Sequence, residues 1–204
     1  MSEIVVATKN SGKIKELKEL LAGLPFHFKS LNEFPNITEA EETGVTFAEN
    51  AAIKARSYAL QTKMWSLADD SGLEVEALGG APGVFSARYA GEEATDGENV
   101  EKLLRRLKES NDQRRSARFV CAMAIADEKG DIKFFAESVC NGKIALNPNG
   151  ANGFGYDPVF IPEGFSQTFG ELSGEIKQKI SHRARATKKI AVFLRDFHAL
   201  LLDR

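Results

Sequence analysis

No stretch of the 204-residue sequence comes near the roughly 18 consecutive apolar residues that a membrane-spanning helix needs, so no membrane association is expected. An excess of charge of one sign is also missing: 27 Lys and Arg stand against 29 Asp and Glu, a formal net charge of −2. With no bulk positive field to wrap a nucleic-acid backbone, an anionic ligand has to be held by a local cluster of cations, which favours a small anion over nucleic acid. The segment from Met1 to Thr8 has neither a basic n-region nor an apolar h-region and runs straight into the strand-like EIVVAT. The expected location is therefore the cytoplasm. Cysteine is scarce: Cys121 and Cys140 lie in strand-like runs without CxxC spacing or nearby ligand residues, and both read as reduced thiols of the core.

What is present is ordinary for a globular enzyme-sized chain, 43% hydrophobic and 27% charged, with no repeat, low-complexity tract or linker that divides it. A single domain over 1–204 is expected. The opening EIVVATKNSGKIKELKELLAG reads as strand, polar turn and amphipathic helix, with Ile14, Leu17, Leu20 and Leu21 on one face and Gly23 at the stop. FHFKSL is a second strand; Thr46 with Glu49 is a capping box opening a second helix that carries Lys54 and Arg56; WSLAD is a third strand. Thr95 with Glu98 repeats the box before NVEKLLRRLKE. SARFVCAMAIA and IKFFAESVC flank the turn DEKGD as a long antiparallel hairpin, a candidate for a second lobe. SHRARATKKIAVFLRDFHALL closes the chain as a helix with Ser181 as its N-cap. The predicted class is α/β with a mixed sheet.

Residues 66–75, SLADDSGLEV, set two acids side by side at the end of an apolar run. Two carboxylates about 4 Å apart repel by roughly 4 kcal/mol at an effective dielectric of about 20, so a cation is expected beside them. If the strand continues, Asp69 and Asp70 point to opposite faces and only one faces a given ligand; the Ser-Gly that follows also permits a turn. The loop EAEETGV adds Glu39, Glu41 and Glu42, and the same ambiguity holds for Glu41 and Glu42. Carboxylates of this kind hold Mg²⁺ together with substrate phosphates. Thr8, Asn10 and Lys13 occupy the first strand-to-helix turn, where backbone N–H groups and a lysine suit phosphate, although the spacing is not that of a Walker A loop. In NGFGYDP, Phe154 and Tyr156 stand among glycines and offer an aromatic face to a planar ligand. In SHRAR, His182 and Arg183 supply donors for ring carbonyls or phosphate.

TKNSGK, EETGVTFAENA, ADDSGL, LGGAPGVFSARY, GFGYDPVF and SHRARA, in this order and at these separations, resemble the inosine/xanthosine triphosphate pyrophosphatase family over essentially the whole chain. The resemblance implies a long twisted mixed sheet flanked by helices, two lobes with an active-site cleft between them, and a homodimer. It implies Mg²⁺-dependent hydrolysis of ITP, dITP and XTP to the monophosphate and pyrophosphate. By motif, Thr8, Asn10 and Lys13 line the triphosphate site; Glu41 and Asp70 ligate the metal, and Asp70 is the proton acceptor. Ser71, Phe154, Gly155, Tyr156, Asp157, Lys177, His182 and Arg183 complete the nucleotide site. A related pyrophosphatase acting on modified pyrimidine or methylated bases, and a nucleotide sensor without turnover, are the rival readings; pyrophosphate release from ITP, dATP, dTTP and GTP separates the three.

Overall fold

The first helix starts where the sequence stops alternating. β1 (Ser2–Val6) ends in a polar turn, and Asn10 caps α1 (Ser11–Leu20) by accepting the Lys13 N–H. The structure, a computed structural model, describes residues 2–202. β2 (Phe26–Ser30) follows, then α2 (Phe47–Thr62), opened by the expected capping box: Thr46 Oγ1 accepts the Glu49 N–H and Glu49 Oε2 accepts the Thr46 N–H. β3 spans Trp65–Val75 and α3 Asp96–Glu109, the second capping-box helix. β4 (Ser116–Ala126) and β5 (Ile132–Ile144) are the hairpin strands, β6 (Phe160–Pro162) is short, and α4 (Gly174–Ile180) precedes α5 (His182–Leu202). No helix among the described residues is long and apolar enough to cross a membrane.

The six strands form one sheet in the order β2-β1-β3-β4-β5-β6. β1 runs parallel to β2, with Ile4 opposite Phe28, and parallel to β3, with Val6 opposite Leu67; β6 is antiparallel to β5. The mixed α/β sheet with flanking helices is therefore as the sequence reading has it.

The chain forms two compact units, residues 1–70, 121–138 and 184–204 in the first, and 71–120 and 139–183 in the second. Each has its own apolar core. In the first, Ile4, Val6, Leu17 and Leu21 pack with Leu67, Met123, Ile125, Ile190 and Leu194. In the second, Val100, Leu103 and Leu107, the apolar stripe of α3, pack with Leu73, Val75, Phe119, Phe160 and Phe169. The hairpin does not form a lobe of its own. Residues 121–138, which include its turn, belong to the first unit, because Cys121, Met123, Ile125 and Ala136 are buried in that unit's core. Cys121 and Cys140 are both buried and neither is in a disulfide, as expected of core thiols.

A second difference concerns β3. The sequence reading ends this strand at Asp69, whereas it continues through Asp70, Ser71 and Gly72 to Val75. Gly72 is there for close packing: a Cβ on it would overlap Ser86 Oγ and crowd the Gly83 carbonyl oxygen. The 3-10 segment Gly83–Arg88 thus lies against the strand, with Ser86 Oγ accepting the Leu73 N–H at 2.9 Å.

Candidate active site

Because β3 runs on without a turn, alternation sends Asp69 and Asp70 to opposite faces, and each meets its own lysine. Lys13 Nζ, from α1, lies 2.5 Å from Asp69 Oδ1, and the Cys121 thiol donates to Asp69 Oδ2 at 3.0 Å. Lys54 Nζ, from α2, donates to Asp70 Oδ1 at 2.6 Å and also pairs with Glu42 Oε1 at 3.0 Å. The cations expected beside the two acids are these lysines. Glu42, not Glu41, reaches Lys54, while Glu41 is exposed.

Asp70 is only 6% exposed, and its Oδ2 is buried with no hydrogen-bond partner among the described residues. Burial pushes its carboxyl above the usual carboxylate range; the Lys54 and Lys13 ammoniums pull it back only in part, and Glu42 adds to the rise. For Lys54, burial works against the charge, but Asp70 and Glu42 outweigh it and hold the ammonium above the ordinary lysine value. A buried acceptor oxygen without a partner is costly unless something electropositive meets it.

In the same unit, the turn after β1 is shaped by two local bonds. The Asn10 N–H donates to Thr8 Oγ1 at 3.2 Å, and Asn10 Oδ1 accepts the Lys13 N–H at 3.0 Å. No acidic residue lies in the first turn of α1, so its N-terminal positive potential is uncompensated there.

The second unit gathers the remaining candidates. Ser71 Oγ accepts from Arg183 Nη2 at 2.7 Å, and the Arg183 guanidinium carbon lies 5.6 Å from the centre of the Phe154 ring. Lys177 Nζ, from α4, sits 4.8 Å from the same ring centre and donates to Asp157 Oδ2 at 2.6 Å. Asp157 Oδ2 also accepts the Phe154 N–H at 2.8 Å, closing the tight turn. Gly153, at φ +78°, is required in that turn, since a Cβ would overlap Asp157 Oδ2. The His182 ring stacks on Phe119 at 4.7 Å and 10° between planes. Tyr156 is buried, its hydroxyl donates to the Ser86 carbonyl at 2.9 Å, and burial raises its pKa.

Thus Lys13, Asp69, Asp70, Lys54 and Glu42 form linked ion pairs in one unit, and Ser71, Phe154, Asp157, Lys177 and Arg183 form a cation–aromatic network in the other. Sequence reasoning missed Phe119, whose alternation within β4 marks it only as a core residue, and the Cys121 contact, which rests on strand pairing. Ser181 precedes α5 as expected, but its own N–H closes α4 on the Lys177 carbonyl, a helix that the sequence reading did not contain.

Residues 4–193 match the Ham1 family. The chain is 50% identical over 194 residues to a dITP/XTP pyrophosphatase of Bacillus licheniformis, covering 95% of this chain and 98% of that one. It is 48% identical over 191 residues to a dITP/XTP pyrophosphatase of Bacillus anthracis, covering 93% and 95%. Among solved structures it superposes on a HAM1 protein from Coxiella burnetii with a TM-score of 0.89 at 45% identity, over 96% of this chain and all of that one.

Proposed function

The chain belongs to the Ham1 family, and from that premise we propose that it hydrolyses the non-canonical purine nucleoside triphosphates dITP, XTP and ITP to the monophosphate and pyrophosphate, with Mg²⁺ as cofactor. This clears such nucleotides from the pool before they enter DNA or RNA.

The observation that carries the chemistry is Asp70, a buried carboxylate with one oxygen on Lys54 and the other without a hydrogen-bond partner among the described residues. A divalent cation fits that oxygen. Among the described residues no three carboxylate, imidazole or thiol groups gather as a closed metal cage. Mg²⁺ needs none, since it commonly takes one or two protein carboxylates and completes its octahedron with water and substrate phosphates. Asp70 and Glu41 are the ligands the resemblance implies, and Glu42 is the neighbour already held at Lys54. When bound, the metal offsets charge on the nonbridging and leaving oxygens of the triphosphate.

The chain's own groups do the rest. Lys13 and the N–H groups at the start of α1 bind phosphate oxygens, with Asp69 fixing the direction of the Lys13 side chain. Lys54 keeps Asp70 oriented and in part ionised, and the proton-acceptor role that the resemblance implies falls to this same carboxylate. Water adds at the α-phosphorus and pyrophosphate leaves. Phe154 offers a ring face to the purine; Lys177, Arg183 and His182 supply donors, and the backbone of residues 154–157 borders the same group. A cytoplasmic homodimer completes the proposal.

Pyrophosphate release from XTP, ITP, dITP, GTP, ATP and dTTP in the presence of Mg²⁺ tests it. Turnover of the first three far above the others is the expected outcome. A preference for dTTP points to a pyrimidine enzyme, and binding of ITP without release from any substrate points to a sensor.

A further inference from the structure

The loop 153–157 turns at two glycines. Gly153 stands at φ +78° and Gly155 at φ +59°, both in the left-handed region. Two internal bonds close the turn, Phe154 N–H to Asp157 Oδ2 and Asp157 N–H to the Phe154 carbonyl. Besides the bonds that residues 159, 160, 170 and 177 make to it, two bonds tie it to the segment 83–90 and to α3. The first is the Tyr156 hydroxyl on the Ser86 carbonyl. The second comes from α3: Asp96 Oδ2 accepts the Gly155 N–H at 2.7 Å, across 59 residues of sequence.

Asp96 is the first residue of α3, where Thr95 and Glu98 already satisfy the helix start through their capping box. Its carboxylate is therefore not needed as the cap. One turn further on, buried Asn99 accepts the Ala90 N–H at 2.7 Å and donates to the Ala87 carbonyl at 3.1 Å. The start of α3 thus holds the segment 83–90 through Asn99 and the loop 153–157 through Asp96, while Tyr156 ties that loop to Ser86. Three segments are cross-braced, and the brace continues through Ser86 Oγ to the Leu73 N–H, two residues from the Ser71 that holds Arg183. All of these contacts lie within the second unit.

We propose that Asp96 is a positioning residue for purine discrimination. By fixing the peptide plane between Phe154 and Gly155, it sets the tilt of the Phe154 ring and hence where Lys177 and Arg183 stand over it. This rests on the reading that this loop meets the base. Discrimination between a 6-oxo and a 6-amino purine depends on donors placed to within a fraction of an ångström, so a loosened loop loses selectivity before it loses phosphate chemistry, whose residues belong to the other unit.

The test uses Asp96→Ala and Asp96→Asn in the full chain, with amide exchange at Gly155 and steady-state kinetics on ITP, XTP, GTP and ATP. Asp96 is exposed, so both variants are expected to fold, with melting temperatures near that of the wild type. In Asp96→Ala, Gly155 exchange is expected to rise about tenfold, the size of a lost hydrogen bond to a charged acceptor. The ITP to ATP ratio of kcat/KM is expected to narrow, chiefly through a higher KM for ITP with kcat little changed. Asp96→Asn, which keeps an acceptor oxygen, restores both. Unchanged exchange, an equal loss on all four substrates, or an Asn variant indistinguishable from Ala would overturn the proposal. A wild-type protein inactive on all four would instead sink the functional reading and the discrimination with it, while the exchange rates would still decide whether Asp96 anchors the loop.

Discussion

Asp70 keeps a carboxylate where burial opposes its charge, and that opposition makes it useful to the reaction. Asp70→Asn preserves volume and removes the charge. We expect kcat for XTP or ITP to fall about a thousandfold, on the order of 4 kcal/mol, with an unchanged far-ultraviolet spectrum. Asp69→Asn weakens chiefly the hold on Lys13 and is expected to act mainly on KM; if it costs more turnover than Asp70→Asn, the two roles are reversed. Lys13→Ala is expected to weaken binding of every triphosphate by a similar factor, since a lysine at the phosphates does not sense the ring. Arg183→Ala is expected to cut ITP turnover and narrow the ITP to ATP ratio, because adenine's 6-amino group leaves a donor unsatisfied at about 1 to 3 kcal/mol where a 6-oxo group pairs with it. The same variant should lower the GTP to ATP ratio as well. A uniform loss over ITP, XTP, GTP and ATP would make Arg183 a phosphate ligand instead. At this scale the sequence was legible in residue type but not in pairing. The need for cations at Asp69-Asp70 followed from charge alone, whereas the assignment of Lys13 to one acid and Lys54 to the other required the strand to be seen passing straight through.

At the scale of elements, the turn between β4 and β5 is held by Asp127, whose Oδ1 accepts the Lys129 and Asp131 N–H groups and whose Oδ2 pairs with Lys133. The Lys133 hydrogen bond, helped by those backbone donors, draws its carboxyl below the usual aspartate value. A lowered folded pKa gives stability that is present above the unfolded value and lost as pH falls through the folded one. The melting-temperature gap between wild type and Asp127→Asn is therefore expected to be full at neutral pH and to narrow below about pH 3.9. The capping boxes of α2 and α3 were readable, because Thr-x-x-Glu carries its hydrogen bonds within four residues. The end of β3 was not. Ser71-Gly72 has the composition of a turn, but Gly72 serves the close approach of Ser86, a contact over 14 residues of sequence that no local rule contains. α4 was missed for a similar reason: GEIKQKI has seven residues and buries chiefly Lys177, so no apolar periodicity announces it.

For the whole molecule, chelation with EDTA is expected to abolish pyrophosphate release and added Mg²⁺ to restore it; turnover that persists in chelator would remove the metal from the reaction. Sedimentation at micromolar concentration is expected to show a dimer of 22.3 kDa chains.

Composition, charge balance and short-range patterning by themselves determined the α/β class, the core character of both cysteines and the expectation of a small anionic ligand, since each depends on residue type or on spacing within a few positions. The ordered motifs carried the family and the candidate residues. Only the tertiary structure decided which acid meets which lysine, that Glu42 rather than Glu41 reaches Lys54, that the hairpin's turn joins the first unit's core, and that Asp96 holds a loop 59 residues away. The physical reason is common to all four. Alternation and capping act between neighbours along the chain, while ion pairs and core membership are set by which strands and helices pack together, and that is fixed by the sum of many weak contacts spread over the entire sequence.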